Sequence, residues 1–140
     1  MKKNHTIKLF PVDEGVFSEG QMRLAAMEDD TLVGCVDLYN YDPVHRRAEV
    51  GIVVVKQFRH QGVGAAILNQ LTSFCATSLS LHQLYCDIAA VNSASLKLFE
   101  HCGYVRCGLM KEWLLVAGRY VDSVRLQLML DSVEGGCSDL

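Results

Sequence analysis

No C-x-x-C pair occurs among the six cysteines, at positions 35, 75, 86, 102, 107 and 137, and the five histidines show no metal-ligand spacing. The usual signatures of a metal centre are therefore missing, and no metal is expected. Basic charge is not in excess: 13 Lys and Arg face 16 Asp and Glu, a net charge of −3. Nonspecific nucleic-acid binding needs a basic surface, so nucleic acid is not expected as a partner. No apolar run approaches the length of a membrane-spanning helix. Met1-Lys2-Lys3-Asn4-His5 is followed by no apolar secretory core. The expectation is a cytoplasmic chain whose cysteines stay reduced and act as small hydrophobes. No internal repeat and no second domain are visible.

What is present is a chain of 140 residues, half of them hydrophobic and 21% charged, enough for one domain with one core. Residues 1–140 read as that single domain, with 1–20 poorly patterned and an acidic, Gly-containing tail over 131–140 that should fray. Phe10, Val12, Val16 and Phe17 fit a short helix or a loop. Met22 to Met27 and Thr31 to Tyr39 read as a hairpin around Glu28-Asp29-Asp30. Ala48 to Val55, Glu49 apart, is apolar on both faces, as in a central strand covered on both. Gly62 to about Ser78 carries Ile67, Leu71, Phe74 and Cys75 at helical spacing. Leu84 to Ala90 alternates as a strand, and Asn92 or Ser93 caps a short helix that Gly103 ends. Two long strands follow, Tyr104 to Val116 and Tyr120 to Leu130. The crossover helix makes the strands at Val50 and Leu84 parallel. The fold class is α/β: a mixed sheet with flanking helices.

The junction between strand and first helix carries the strongest functional signal: Arg59-His60-Gln61-Gly62-Val63-Gly64-Ala65. Backbone N–H groups at such a turn have no intrahelical partner, glycine lets a ligand approach them, and the helix N-terminus adds partial positive charge. That is a place for a pyrophosphate. GxGxxG fails, because Ile67 stands three after Gly64, and no Lys-Ser or Lys-Thr follows the glycines as a P-loop requires. Arg-x-x-Gly-x-Gly-Ala instead resembles the acyl-CoA pyrophosphate loop of the GCN5-related N-acetyltransferases (GNAT). Asn92-Ser93-Ala94-Ser95-Leu96-Lys97-Leu98-Phe99-Glu100-His101-Cys102-Gly103-Tyr104 resembles the later Asn-x-x-Ser…Gly-Phe/Tyr segment of the same family. Asp42-Pro43-x-His45-Arg46-Arg47-Ala48 and Lys111-Glu112-Trp113 look like the bacterial ribosomal-protein and polyamine acetyltransferase branch.

The resemblance implies acetyl-CoA as co-substrate, direct acetyl transfer to a primary amine, and two parallel strands that splay to admit the pantetheine arm. It also implies a bulge in Val53-Val54-Val55 that frees an amide toward the thioester. The backbone of Gln61, Gly62, Val63, Gly64 and Ala65 is assigned to the phosphates, with Arg59 either an added cation or a solvated charge. Asn92, Ser95 and Phe99 are assigned to the cofactor arm, although capping alone would explain Asn92. Transfer needs a base for the amine proton. Glu49 is the first candidate, against an ion pair with Arg46 or Arg47, and Asp87 is its rival. Many relatives carry a Tyr acid where Phe99 stands, so water, Ser95 or another tyrosine such as Tyr120 must protonate the thiolate. The acceptor is a polyamine or diamine, another small amine, or a protein N-terminus. Trp113, Glu112 and Asp37 could shape a pocket for it. The rival function is a non-catalytic acyl-CoA-binding regulatory module. Only about twenty residues precede the first hairpin, fewer than the family uses; either the chain is trimmed or a partner covers the sheet. A homodimer is expected.

Overall fold

The computed structural model describes residues 4–12 and 17–130. Seven strands form one mixed sheet in the order β1-β2-β3-β4-β5-β7-β6. They are β1 (Lys8–Pro11), β2 (Met22–Glu28), β3 (Thr31–Asp42), β4 (Arg47–Val54), β5 (Gln83–Ala89), β6 (Val105–Val116) and β7 (Arg119–Met129). The helices are α1 (Val63–Thr77) and α2 (Ser93–His101), and a 3-10 turn at Lys56–Phe58 leads into the glycine loop. Val16, Cys137 and the tail lie outside the described residues.

One face of the sheet carries the core. Leu24, Val36, Leu38, Ala48, Val50, Leu84 and Leu126 point to it and are buried. Helix α1 lays Ile67, Leu68, Leu71 and Cys75 over them, and α2 adds Leu96 and Phe99. Burying each of these large side chains contributes about 1.5–3 kcal/mol. Gly34 marks the closest approach: a Cβ there would run into the Val53 carbonyl and meet Ile67 Cδ1 at 3.1 Å. Only a residue without a side chain leaves room here for the β4 backbone beside β3, with α1 close above.

The hairpins β2–β3 and β6–β7 and the parallel β4–β5 pair form as the alternation requires. Ala117 (φ 51°) and Gly118 (φ 78°) turn the last hairpin with positive φ at both positions, the geometry that matches strand twist. Two expectations need correction. The stretch containing Phe10 and Val12 is not a helix; Lys8–Pro11 pairs antiparallel with β2 as an edge strand. Its four residues are too few to show a period. Nor is β4 covered on both faces. Ala48 and Val50 are buried under α1, whereas Val53, on the opposite face, is 56% exposed. An apolar sequence reads the same whether its second face meets protein or an open cleft.

Candidate functional site

Strands β4 and β5 pair over three rows only, Arg47↔Gln83, Ala48↔Leu84 and Glu49↔Tyr85. Beyond Glu49 they part. β5 stays hydrogen-bonded to β7 along its whole length, from Gln83↔Met129 to Ala89↔Ser123, so β4 continues to Val54 with one edge unpaired. The register with β3 is unbroken from Tyr39↔Glu49 to Gly34↔Val54. There is thus no bulge at Val53-Val54-Val55; the free amides come from the splay. Val55 donates its N–H to the Val33 carbonyl at 2.8 Å and is unavailable. Amides alternate along a strand, so those of Ile52 and Val54 face the opened edge. Arg59 Nε donating to the Val54 carbonyl at 3.0 Å shows the same orientation.

The gap is a cleft of about 730 Å³, with Ile52, Val53 and Val54 on one wall and α2 on the other. The glycine loop closes its end. Gly62 (φ 86°) is the N-cap of α1, and the first helical bond runs from the Ala66 N–H to the Gly62 carbonyl. The N–H groups of Val63, Gly64 and Ala65 therefore have no helical partner. A Cβ on Gly64 would press on Leu98 Cδ2 at 3.1 Å, so this glycine lets α1 start close against α2. The Asn92 side chain accepts the Ser95 N–H at 3.1 Å and caps α2 from the rim of the cleft.

Of the sequence-predicted cofactor residues, Val53, Val54, Arg59, Gly62, Gly64, Ala65, Asn92 and Ser95 line this cleft. Gln61 stands on the loop with its carbonyl turned to His5 Nε2 at 2.7 Å. The Val63 side chain is core, leaving only its backbone for a ligand. Phe99 is a correction: at 3% exposure it is buried, edge-on to Tyr104 with ring centroids 5.0 Å apart, and does not line the cleft. Sequence reasoning missed Lys97, Leu98 and His101, which with Ala94 form one stripe of α2 at i, i+3, i+4 and i+7 facing the cleft. Their helical spacing was the signal. Arg59 and Lys97 give the cleft two cationic side chains in a chain of net charge −3.

Glu49 occupies the last paired row, at the apex of the splay. Asn40 Nδ2 donates to its Oε1 at 2.9 Å. The proposed ion pairs with Arg46 or Arg47 do not form: Arg47 reaches Asp42 at 3.4 Å and Arg46 donates to the Ser80 carbonyl. Burial and then the charge of Glu49 raise the neighbouring Tyr85 hydroxyl above its ordinary pKa. Asp87, the rival base, is a correction. Both its oxygens hold Arg125, at 2.8 and 2.7 Å, and the guanidinium lies over the Tyr85 ring. Tyr120 is corrected too; it is 66% exposed on the β6–β7 hairpin, outside the cleft. Asp37 does not join Trp113 and Glu112. It lies on β3, saturated by two bonds from Arg23 and one from the Tyr39 hydroxyl, while the other two stand on β6 across the sheet. Among the described residues no cluster of His, Cys, Asp and Glu could hold a metal, and no helix is long and apolar enough to cross a membrane.

A family model described as an acetyltransferase (GNAT) domain matches residues 11–105. A spermidine N(1)-acetyltransferase of Vibrio cholerae is 31% identical over 98 residues, 70% of this chain and 57% of that one. A putative ribosomal N-acetyltransferase of Bacillus subtilis is 30% identical over 107 residues, 76% of this chain and 58% of that one. A solved structure of the Vibrio cholerae spermidine N-acetyltransferase in complex with CoA and spermine superposes with a TM-score of 0.76 at 28% identity, covering 79% of this chain and 66% of that one. A dodecameric structure of the same enzyme gives 0.77 at 26% identity, covering 83% and 68%. The chain spans under two thirds of the length of these curated relatives.

Proposed function

This chain belongs to the GNAT acetyltransferase family, and from that premise we propose that it takes acetyl-CoA into the β4–β5 cleft and passes the acetyl group directly to a primary amine. The carrying observation is the coincidence, in one basic cleft, of an unpaired strand edge with an uncapped helix N-terminus. The amides of Val63, Gly64 and Ala65 meet the pyrophosphate, aided by Arg59 and Lys97. The pantetheine arm lies along the open edge of β4. The Ile52 or Val54 N–H donates to the thioester oxygen as it gains charge.

The amine nitrogen attacks the thioester carbonyl, the C–S bond breaks, and the amine proton passes to Glu49 through water. The thiolate takes its proton from solvent, since neither Phe99 nor Tyr120 supplies a donor in the cleft. Cysteine chemistry is not used. Burial pushes the thiols of Cys75 and Cys86 up to about 12, so neither offers a thiolate. The acceptor class is a polyamine or diamine, supported by the spermidine acetyltransferases among the relatives. The protein acts in the cytoplasm as a homodimer joined through the exposed β6–β7 hairpin.

Thiol release from acetyl-CoA, followed against a panel of polyamines, amino acids and peptides, tests this reading. Turnover with spermidine or a diamine is expected. CoA binding without turnover on any amine would leave a non-catalytic binding module instead.

A further inference from the structure

His5 lies 56 residues from the phosphate loop, yet its ring touches it. The side chain is 4% exposed. Nε2 donates to the Gln61 carbonyl at 2.7 Å, and Nδ1 meets the Glu28 carboxylate at 2.9 Å. Ile7, two residues on, is core, and β1 packs on α1, so the backbone that follows His5 is anchored. The ring sits behind the loop: a Cβ on Gly62 would come within 3.8 Å of His5 Cδ2, and His5 is absent from the cleft lining.

A trans peptide points the carbonyl of one residue and the N–H of the next in opposite directions within one plane. All peptides described are trans. With the Gln61 carbonyl held backward, the Gly62 N–H is turned forward, into the cleft that Gly62 lines. This plane is the one in the loop that most needs holding. It runs into a glycine at φ 86°, and glycine exchanges positive for negative φ at little cost, which leaves the peptide free to rotate. Gln61 is further held by its Nε2 donating to the Gln57 carbonyl at 2.9 Å, but that bond fixes the side chain and not the peptide.

We propose that His5 is a positioning residue of the phosphate-binding turn: held by Glu28, it fixes the Gln61–Gly62 peptide so that the Gly62 N–H faces the pyrophosphate. The inference rests on the acetyl-CoA reading above. The N-terminal segment thereby sets cofactor affinity without touching the cofactor.

The test compares two thioesters, acetyl-CoA and S-acetylpantetheine, which has the same reacting group and no pyrophosphate. In His5→Ala the KM for acetyl-CoA should rise about tenfold, the weight of one aligned hydrogen bond. The KM for S-acetylpantetheine should rise several-fold less. His5→Gln, which keeps one donor, should recover part of the loss, and Glu28→Gln, which loosens the ring, should show the same selectivity in weaker form. Equal effects on the two thioesters, or none on acetyl-CoA, would overturn the proposal. Should His5→Ala fail to fold, the ratio in His5→Gln and Glu28→Gln decides on the same terms. A wild-type protein that gains no thermal stability from CoA would sink the acetyl-CoA reading itself, and this inference with it.

Discussion

Glu49 and Asp87 show how partners, not residue type, decide what a carboxylate can do. Both point from neighbouring strands to the same sheet face, but Asp87 spends two oxygens on Arg125 while Glu49 spends one on Asn40. Glu49→Gln should lower kcat by about 10²-fold, the usual contribution of a positioned base. CoA affinity should be unchanged and the defect should shrink at high pH, where the amine arrives neutral; an unchanged pH–rate profile would remove Glu49 from the mechanism. Tyr104 is the opposite case, a polar group with no work to do. Its hydroxyl is buried, raised well above its ordinary pKa by desolvation, and has no hydrogen-bond partner among the described residues. Leaving such a group unpaired costs about 1–3 kcal/mol. Tyr104→Phe should therefore raise the melting temperature with turnover unaltered; a fall in Tm would mean that the hydroxyl has a partner. Phe99 now reads as core against that same ring, so Phe99→Tyr would add a second buried hydroxyl and not a catalytic acid.

At the scale of elements, the parts legible in the sequence were those with a local cause. The strand–glycine–helix junction, the Asn92 cap and the closing hairpin each depend on residues within a few positions of one another. What stayed hidden depends on distant partners. Strands β4 and β5 part after three paired rows while β5 keeps β7 on its other edge, and nothing in Ala48–Val55 records that. The β3 irregularity between Tyr39 and Asp42, with Asn40 at φ 50°, aims the Asn40 amide at Glu49 but has no glycine to announce it. The cross-strand pair of β2 and β3 carries a prediction of its own. The Arg23 guanidinium, followed by the Tyr39 hydroxyl, holds the Asp37 carboxyl below its ordinary pKa against the cost of burial. A lowered pKa contributes stability that is full above the unfolded value of about 3.9 and is lost as pH falls through the folded one. Melting curves should fall below about pH 4 in the wild type and fall less in Asp37→Asn. Parallel acid limbs in the two proteins would show that this pair contributes nothing.

The whole molecule presents two unlike surfaces, a basic cleft and an apolar edge. Strand β6 is exposed along nearly all its length, and Leu109, Trp113, Leu115 and Tyr120 are each more than half exposed on one hairpin. An unpaired edge of that kind invites a second copy. Sedimentation at micromolar concentration should give a dimer, and Trp113→Asp with Leu115→Asp a folded monomer; a monomeric wild type would contradict the assembly. The cleft holds the central claim, that the backbone at the start of α1 binds the pyrophosphate of acetyl-CoA. Calorimetric titration of CoA into the wild type and into Gly62→Val tests it most directly. A side chain at φ 86° strains the turn that presents these backbone amides to the cleft. One CoA should bind per wild-type chain, and a Gly62→Val protein that keeps its native circular dichroism should give no measurable heat. A folded Gly62→Val protein that binds CoA as tightly as wild type would contradict that claim.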